Sequence, residues 1–158
     1  MIKKGHMLLL MITACLITPA TQAGDDWLVD VDEKTRAERL SSYLGGFSSA
    51  MWEVGERYQH MVQAIGDENF ELATYHWDKI GAAIRGGYLK RPGRQANADA
   101  LFLEAFWPIY LETLKSGDRD KVRQQFPQAR EACLACHVAE DMAFMNDQPL
   151  FNRTDFED

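Results

Sequence analysis

Cys133, Cys136 and His137 stand in the run Cys133-Leu134-Ala135-Cys136-His137. C-x-x-C-H is the form in which c-type haem is attached to a polypeptide. Two thiols add across the two vinyl groups of the macrocycle to make thioethers, and the neighbouring imidazole reaches the iron from one face. On a helix the thiols lie at i and i+3 and His137 at i+4 from Cys133, so all three project from one side. The cofactor implied is one covalent haem c, anchored by Cys133 and Cys136, with His137 as the proximal iron ligand.

Other chemistries use parts of this pattern. A dithiol redox site needs a βαβ setting, and no strand-like alternation surrounds the motif. A zinc site needs four ligands, and only His60 and His76 are left to complete one with these thiols. A zinc-binding or metal-free helical interaction module, in which the pentapeptide is coincidental, is the alternative of another class. No nucleophile, acid–base pair or phosphate loop is legible, so the chain reads as an electron-transfer or ligand-binding protein rather than an enzyme.

The motif must be carried by a helix, and the chain offers four. Leu40, Leu44, Phe47, Met51, Val54, Tyr58, Met61 and Ile65 recur at alternating spacings of four and three, the inward seam of one long helix, ended by Gly66 with a left-handed stop and Asp67 as a cap. A second helix follows Phe70, Ala73, Trp77, Ile80 and Ile84 and fades at Gly86-Gly87. After a basic link, Lys90-Arg91-Pro92-Gly93-Arg94, a third runs from near Asn97 through Leu103, Phe106, Tyr110 and Leu114 to Ser116-Gly117, with Pro108 kinking it. The fourth starts around Asp118 and carries Val122, Phe126, Ala129, Cys133 and Cys136 on one seam, with Pro127 as a kink or a first-turn residue. Trp52, Trp77 and Trp107 read as packing residues, and residues 146–158 as an irregular tail. The pattern predicts an all-α fold, an antiparallel four-helix bundle.

The first 23 residues read as a signal peptide: Lys3 and Lys4, an apolar stretch from Met7 to Ile17, then Thr21-Gln22-Ala23 as a cleavage site. A periplasmic location follows, with lipid anchoring through Cys15 as a minor alternative. Residues 24–158 then form one domain, with no spanning segment. With Lys3 and Lys4 removed, 15 basic residues face 24 acids, a formal charge of −9. Such a balance argues against nucleic acid and anionic membranes and for basic redox partner proteins. Once haem is attached, no thiol is left for a disulfide.

On the C-x-x-C-H at Cys133, Cys136 and His137, placed at the end of the last of four helices, the chain resembles the class II c-type cytochromes, the cytochrome c prime family. The layout matches throughout residues 24–158, but the pentapeptide is the only specific motif. The resemblance implies a four-helix bundle with one haem, a possible homodimer, and either single-electron transfer or binding of nitric oxide or carbon monoxide at five-coordinate iron. A class I layout is disfavoured, since its motif lies near the N-terminus and only 21 residues follow His137 here. The longer tail and the acidic Glu140-Asp141 depart from the family pattern.

In that topology His137, about 19 residues into its helix, lies level with about residue 46 of the first. The wall opposite the imidazole is then Tyr43, Leu44, Phe47 and Met51. Met51 is the candidate distal ligand, whose thioether would raise the potential; otherwise it is core filling. Gly45-Gly46, costing on the order of 1 kcal/mol each inside a helix, reads as room for a distal pocket or as a local kink. His60 and His76 lie roughly 21 Å too far along the bundle. Met142 and Met145 follow His137 too closely to cross to the other face unless the chain reverses sharply. Arg85, Lys90, Arg91 and Arg94 are candidates to pair with the haem propionates.

Overall fold

The computed structural model describes residues 27–152. The stretch read as a signal peptide, with His6 and Cys15, and the last six residues of the tail lie outside them. Among the described residues the chain is all-α, with no strand. It divides into two compact units, one ending at Arg39 and one beginning at Leu40. In the first, the Asp32 carboxylate accepts from Thr35 Oγ1 at 2.6 Å and from Thr35 N at 3.0 Å. These bonds hold its pKa below the usual carboxylate value.

The seam read as one long helix is two helices. α1 (Glu33–Leu44) stops because Gly45 takes φ 66°, a left-handed conformation that favours glycine, and α2 (Phe47–Gly66) begins after Gly46. The orphan carbonyls of the joint are satisfied locally: Ser49 Oγ donates to Gly46 O at 2.7 Å, and Lys90 Nζ donates to Leu44 O at 2.7 Å. The glycine pair therefore sits outside both helices, and the helix-interior cost expected for it does not arise. The stop after α2 is also shifted. Glu68, not Gly66, has the positive φ of 55°, and Asn69, not Asp67, caps α3 (Phe70–Tyr88) by accepting from Leu72 N at 3.1 Å.

The expected third helix is interrupted. A 3₁₀ turn, Pro92–Arg94, leads into α4 (Gln95–Ala98), a π turn at Asp99–Leu103 and then α5 (Trp107–Ser116). Pro108 lies in the first turn of α5, where its missing N–H removes no intrahelical bond, so it starts a helix rather than kinking one. Gly117 at φ 66° ends α5, and Asp118 caps α6 (Arg119–Ala139), accepting from Lys121 N at 3.2 Å. α6 continues through Pro127.

α2 packs along α3, α3 against α5, and α5 against α6. One core joins Tyr58, Met61 and Ile65 of α2 with Trp77, Ile80 and Ile84 of α3, Tyr110 and Leu114 of α5, and Val122, Phe126 and Ala129 of α6. Trp77 Nε1 donates to Trp107 O at 2.9 Å and Trp107 Nε1 returns to Trp77 O at 3.0 Å. This reciprocal pair holds α3 to α5 and bears out the packing role of both residues, whereas Trp52 is 76% exposed. Gly81 lets the helices approach this closely, since a Cβ there would stand 2.7 Å from Trp107 Nε1. We expect Gly81→Ala to destabilise the protein by about 1–3 kcal/mol through overpacking. Gly86→Ala, with open space around it, should be neutral or stabilising by up to about 1 kcal/mol; urea unfolding of the two variants checks the contrast.

Candidate functional site

α6 carries core and motif in a single register. Val122, Phe126 and Ala129 are fully buried, and the next positions of the same face, Cys133 and Cys136, are half-buried free thiols. Desolvation pushes the Cys133 thiol up to about 12, with the neighbouring Cys136 adding to the rise. Cys136 is raised by burial and by Glu140, with Arg94 opposing. Both thiols are thus held protonated, the reverse of what a reactive dithiol requires.

Each thiol adds to the raised pKa of one tyrosine. Tyr58 of α2 is buried, its hydroxyl has no hydrogen-bond partner among the described residues, and burial followed by the nearby Cys133 raises its pKa. Tyr88 of α3 feels Cys136 more weakly, after burial and the 2.6 Å bond that its hydroxyl donates to Asp99. Phe47 stacks on Tyr88 with ring centroids 6.4 Å apart. Sequence reasoning put Tyr58 in the seam but missed Tyr88, whose position just beyond Gly86-Gly87 hid that α3 runs past the glycines.

His137 stands in the last turn of α6. Its Nδ1 lies 2.8 Å from Asn146 Oδ1, and the edge of its ring faces Phe151 at a centroid distance of 5.9 Å. The chain does reverse sharply after α6, at Asp141 with φ 59°, and Met142 N donates back to His137 O at 2.8 Å. The reversal brings Asn146 to the imidazole. The tail expected to be irregular folds into 3₁₀ turns at Ala143–Asp147 and Pro149–Asn152, and Arg130 Nη1 holds it through Phe151 O at 3.3 Å.

Of the expected opposite wall, Phe47 and Met51 are half-buried and pack against the core, while Leu44 is 52% and Tyr43 76% exposed. The break at Gly45 lies between the two pairs. The basic link lies at the motif's end of α6: Arg94 pairs with the Glu140 carboxylate and also donates to Glu140 O at 3.0 Å, and Asn97 Nδ2 donates to Glu140 Oε1 at 2.7 Å. Arg85 lies over the Trp107 ring, and Lys90 is bonded to Leu44 O and Ser49 Oγ. Arg91 bonds its neighbour's carbonyl, Lys90 O, and lines Gly46. His60 and His76 stack on each other with centroids 5.4 Å apart. An open cleft of about 300 Å³ beside Tyr88, lined by Arg85, Gln95, Asp99, Leu103 and Glu104, includes none of the motif residues.

Comparison with protein-family models, curated proteins and solved structures gives no match.

The donor set itself can be tested against a covalent haem. Among the described residues no three His, Cys, Asp or Glu side chains converge on a point, as a zinc knuckle demands. Haem does not demand it, since its thioethers form at carbon atoms on the macrocycle edge and only an imidazole goes to iron. Phe47, Met51, Val54, Tyr88, Cys133 and Cys136 are half-buried against the core, and the Tyr58 hydroxyl has no hydrogen-bond partner among the described residues; side chains of this apolar kind suit the chemistry of a haem.

Burial has a signed consequence for the haem-free protein. The folded chain keeps the Cys133 proton to about 12, where an ordinary thiol releases it near 9. The folded state therefore binds this proton more tightly than the unfolded one, so stability is complete below about pH 9 and is lost as pH rises towards 12. Tyr58, Tyr88 and Tyr110, all raised chiefly by burial, act in the same direction above about pH 10. Urea midpoints should hold level from neutral to about pH 9 and fall as pH rises from there towards 12; a profile that stays flat across this alkaline range would contradict the buried, protonated thiol.

Proposed function

We propose that the chain is an exported, monohaem c-type cytochrome of the four-helix-bundle kind, which carries single electrons between protein partners outside the cytoplasm. The observation that carries this reading is the arrangement at the end of α6. Two unpaired thiols lie one turn apart on the buried seam, and the following imidazole has Nδ1 engaged by Asn146, which leaves Nε2 as its free nitrogen. When bound, haem supplies a ferric–ferrous couple whose potential is tuned by axial ligands, hydrogen bonds and burial.

This chain's residues have distinct parts in that task. Cys133 and Cys136 anchor the macrocycle edge, and His137 gives the proximal nitrogen. Phe47, Val54 and Tyr88 exclude water from one end of the core, and Arg91, whose guanidinium donates to the adjacent Lys90 O, is a candidate to pair with a haem propionate. Met51 is the candidate for the distal position. Its packing against the core favours a second reading, in which the far side of the iron stays open and takes nitric oxide or carbon monoxide.

An absorption spectrum of protein produced with haem-attachment machinery is the direct test. Covalent haem should be present in the wild type and lost from Cys133→Ala/Cys136→Ala, and haem-free wild-type protein would sink the proposal. Low-spin spectra that turn high-spin on Met51→Ala are expected for the electron carrier. High-spin spectra in the wild type that shift with carbon monoxide, unchanged by Met51→Ala, would instead establish the gas-binding reading.

A further inference from the structure

We propose that Asn146 is a positioning residue that fixes the tautomer of His137, placing the proton on Nδ1 and presenting the Nε2 lone pair. The inference deepens the haem reading, on which its consequence for the iron rests, but the tautomer is a property of the chain alone.

The Leu134 carbonyl, inside the motif, can only accept, and Asn146 Nδ2 donates to it at 3.3 Å. That bond decides which way the amide faces, so the atom 2.8 Å from His137 Nδ1 is Oδ1, an acceptor. An acceptor opposite Nδ1 requires the ring proton there. The neutral imidazole then carries its lone pair on Nε2, the nitrogen not engaged by Asn146.

Asn146 does not owe its place to chance contact. Asp141 at φ 59° turns the chain back, Met145 N donates to Met142 O at 2.9 Å, and Arg130 and Gln148 secure the turn through Phe151 O and Met145 O. Phe151, buried between His137 and Tyr58, limits rotation of the ring from the other side. Outer partners of this sort orient a ligating histidine and raise its basicity.

The experiment is ¹⁵N-histidine NMR of the haem-free protein at a pH where imidazoles are neutral, on wild type, Asn146→Asp and Asn146→Leu. The wild type and Asn146→Asp, which keeps an acceptor, should show the Nδ1–H tautomer of His137. Asn146→Leu should shift it to mostly Nε2–H, the form preferred by an unconstrained imidazole. A wild-type Nε2–H signal would overturn the proposal outright, and so would an Asn146→Leu protein that keeps Nδ1–H. Should Asn146→Leu fail to fold, Asn146→Ala, which also removes the acceptor, takes its place with the same expected shift to Nε2–H. In the haem-loaded protein the ferrous iron–imidazole stretching frequency should fall in Asn146→Leu and rise in Asn146→Asp; unchanged frequencies would refute the effect on iron. Failure of the haem reading shows separately, as protein without haem whose tautomer is still Nδ1–H.

Discussion

The register of α6 is the constraint on which the rest depends. From the Asp118 cap to Ala139 the helix is uninterrupted, so the rotation that buries Val122, Phe126 and Ala129 also turns Cys133 and Cys136 inward. Sliding or rotating this helix to improve one set would spoil the other. The reciprocal Trp77–Trp107 bonds and the Tyr110 hydroxyl, which donates to Val122 O at 3.2 Å, tie α6 through α5 to α3 and keep that register. Precision at the motif is thus supplied by aromatic packing well away from it.

Burial is uneven along this framework. Tyr58, Met61 and Ile65 of α2 are fully enclosed, whereas Phe47, Met51 and Val54, earlier on the same helix, are only half covered. Cys133 and Cys136 belong to the same partly covered set. A protein that packs its core to near crystal density elsewhere gains most from an added apolar surface at that end, since each square ångström removed from water is worth roughly 25 cal/mol.

The apolar seams of α2, α3 and α6, the start of α6 at Asp118 and the stop at Gly117 were legible in the sequence, because helical periodicity and end signals act over a few residues. The interruption at Gly45-Gly46 was not, since the seam keeps its three-four spacing across the break and only the φ of Gly45 separates a costly helical glycine from an inexpensive joint. Pro108 was misplaced for a related reason. A proline looks the same in the first turn of a helix as in its middle until the π turn before it is known. The motif was read directly from residue types, but Asn146 gave no signal, because its role depends on a reversal at Asp141 that nothing in the local composition announces. The exposure of Leu44 and Tyr43, with the helix break beside them, could not be foreseen from a seam that treats every fourth residue alike.

The left-handed turn at Asp141 also bears on the order in which the site is assembled. His137 meets Asn146 nine residues away, and Arg130 meets Phe151 across 21, so that side of the imidazole is closed by contacts local in the chain. Phe47 to Tyr58 of α2 come from the other end of the domain and join the core only on its long-range closure. Local contacts form faster than distant ones. One side of the histidine is therefore closed by contacts that can form before the helices have gathered.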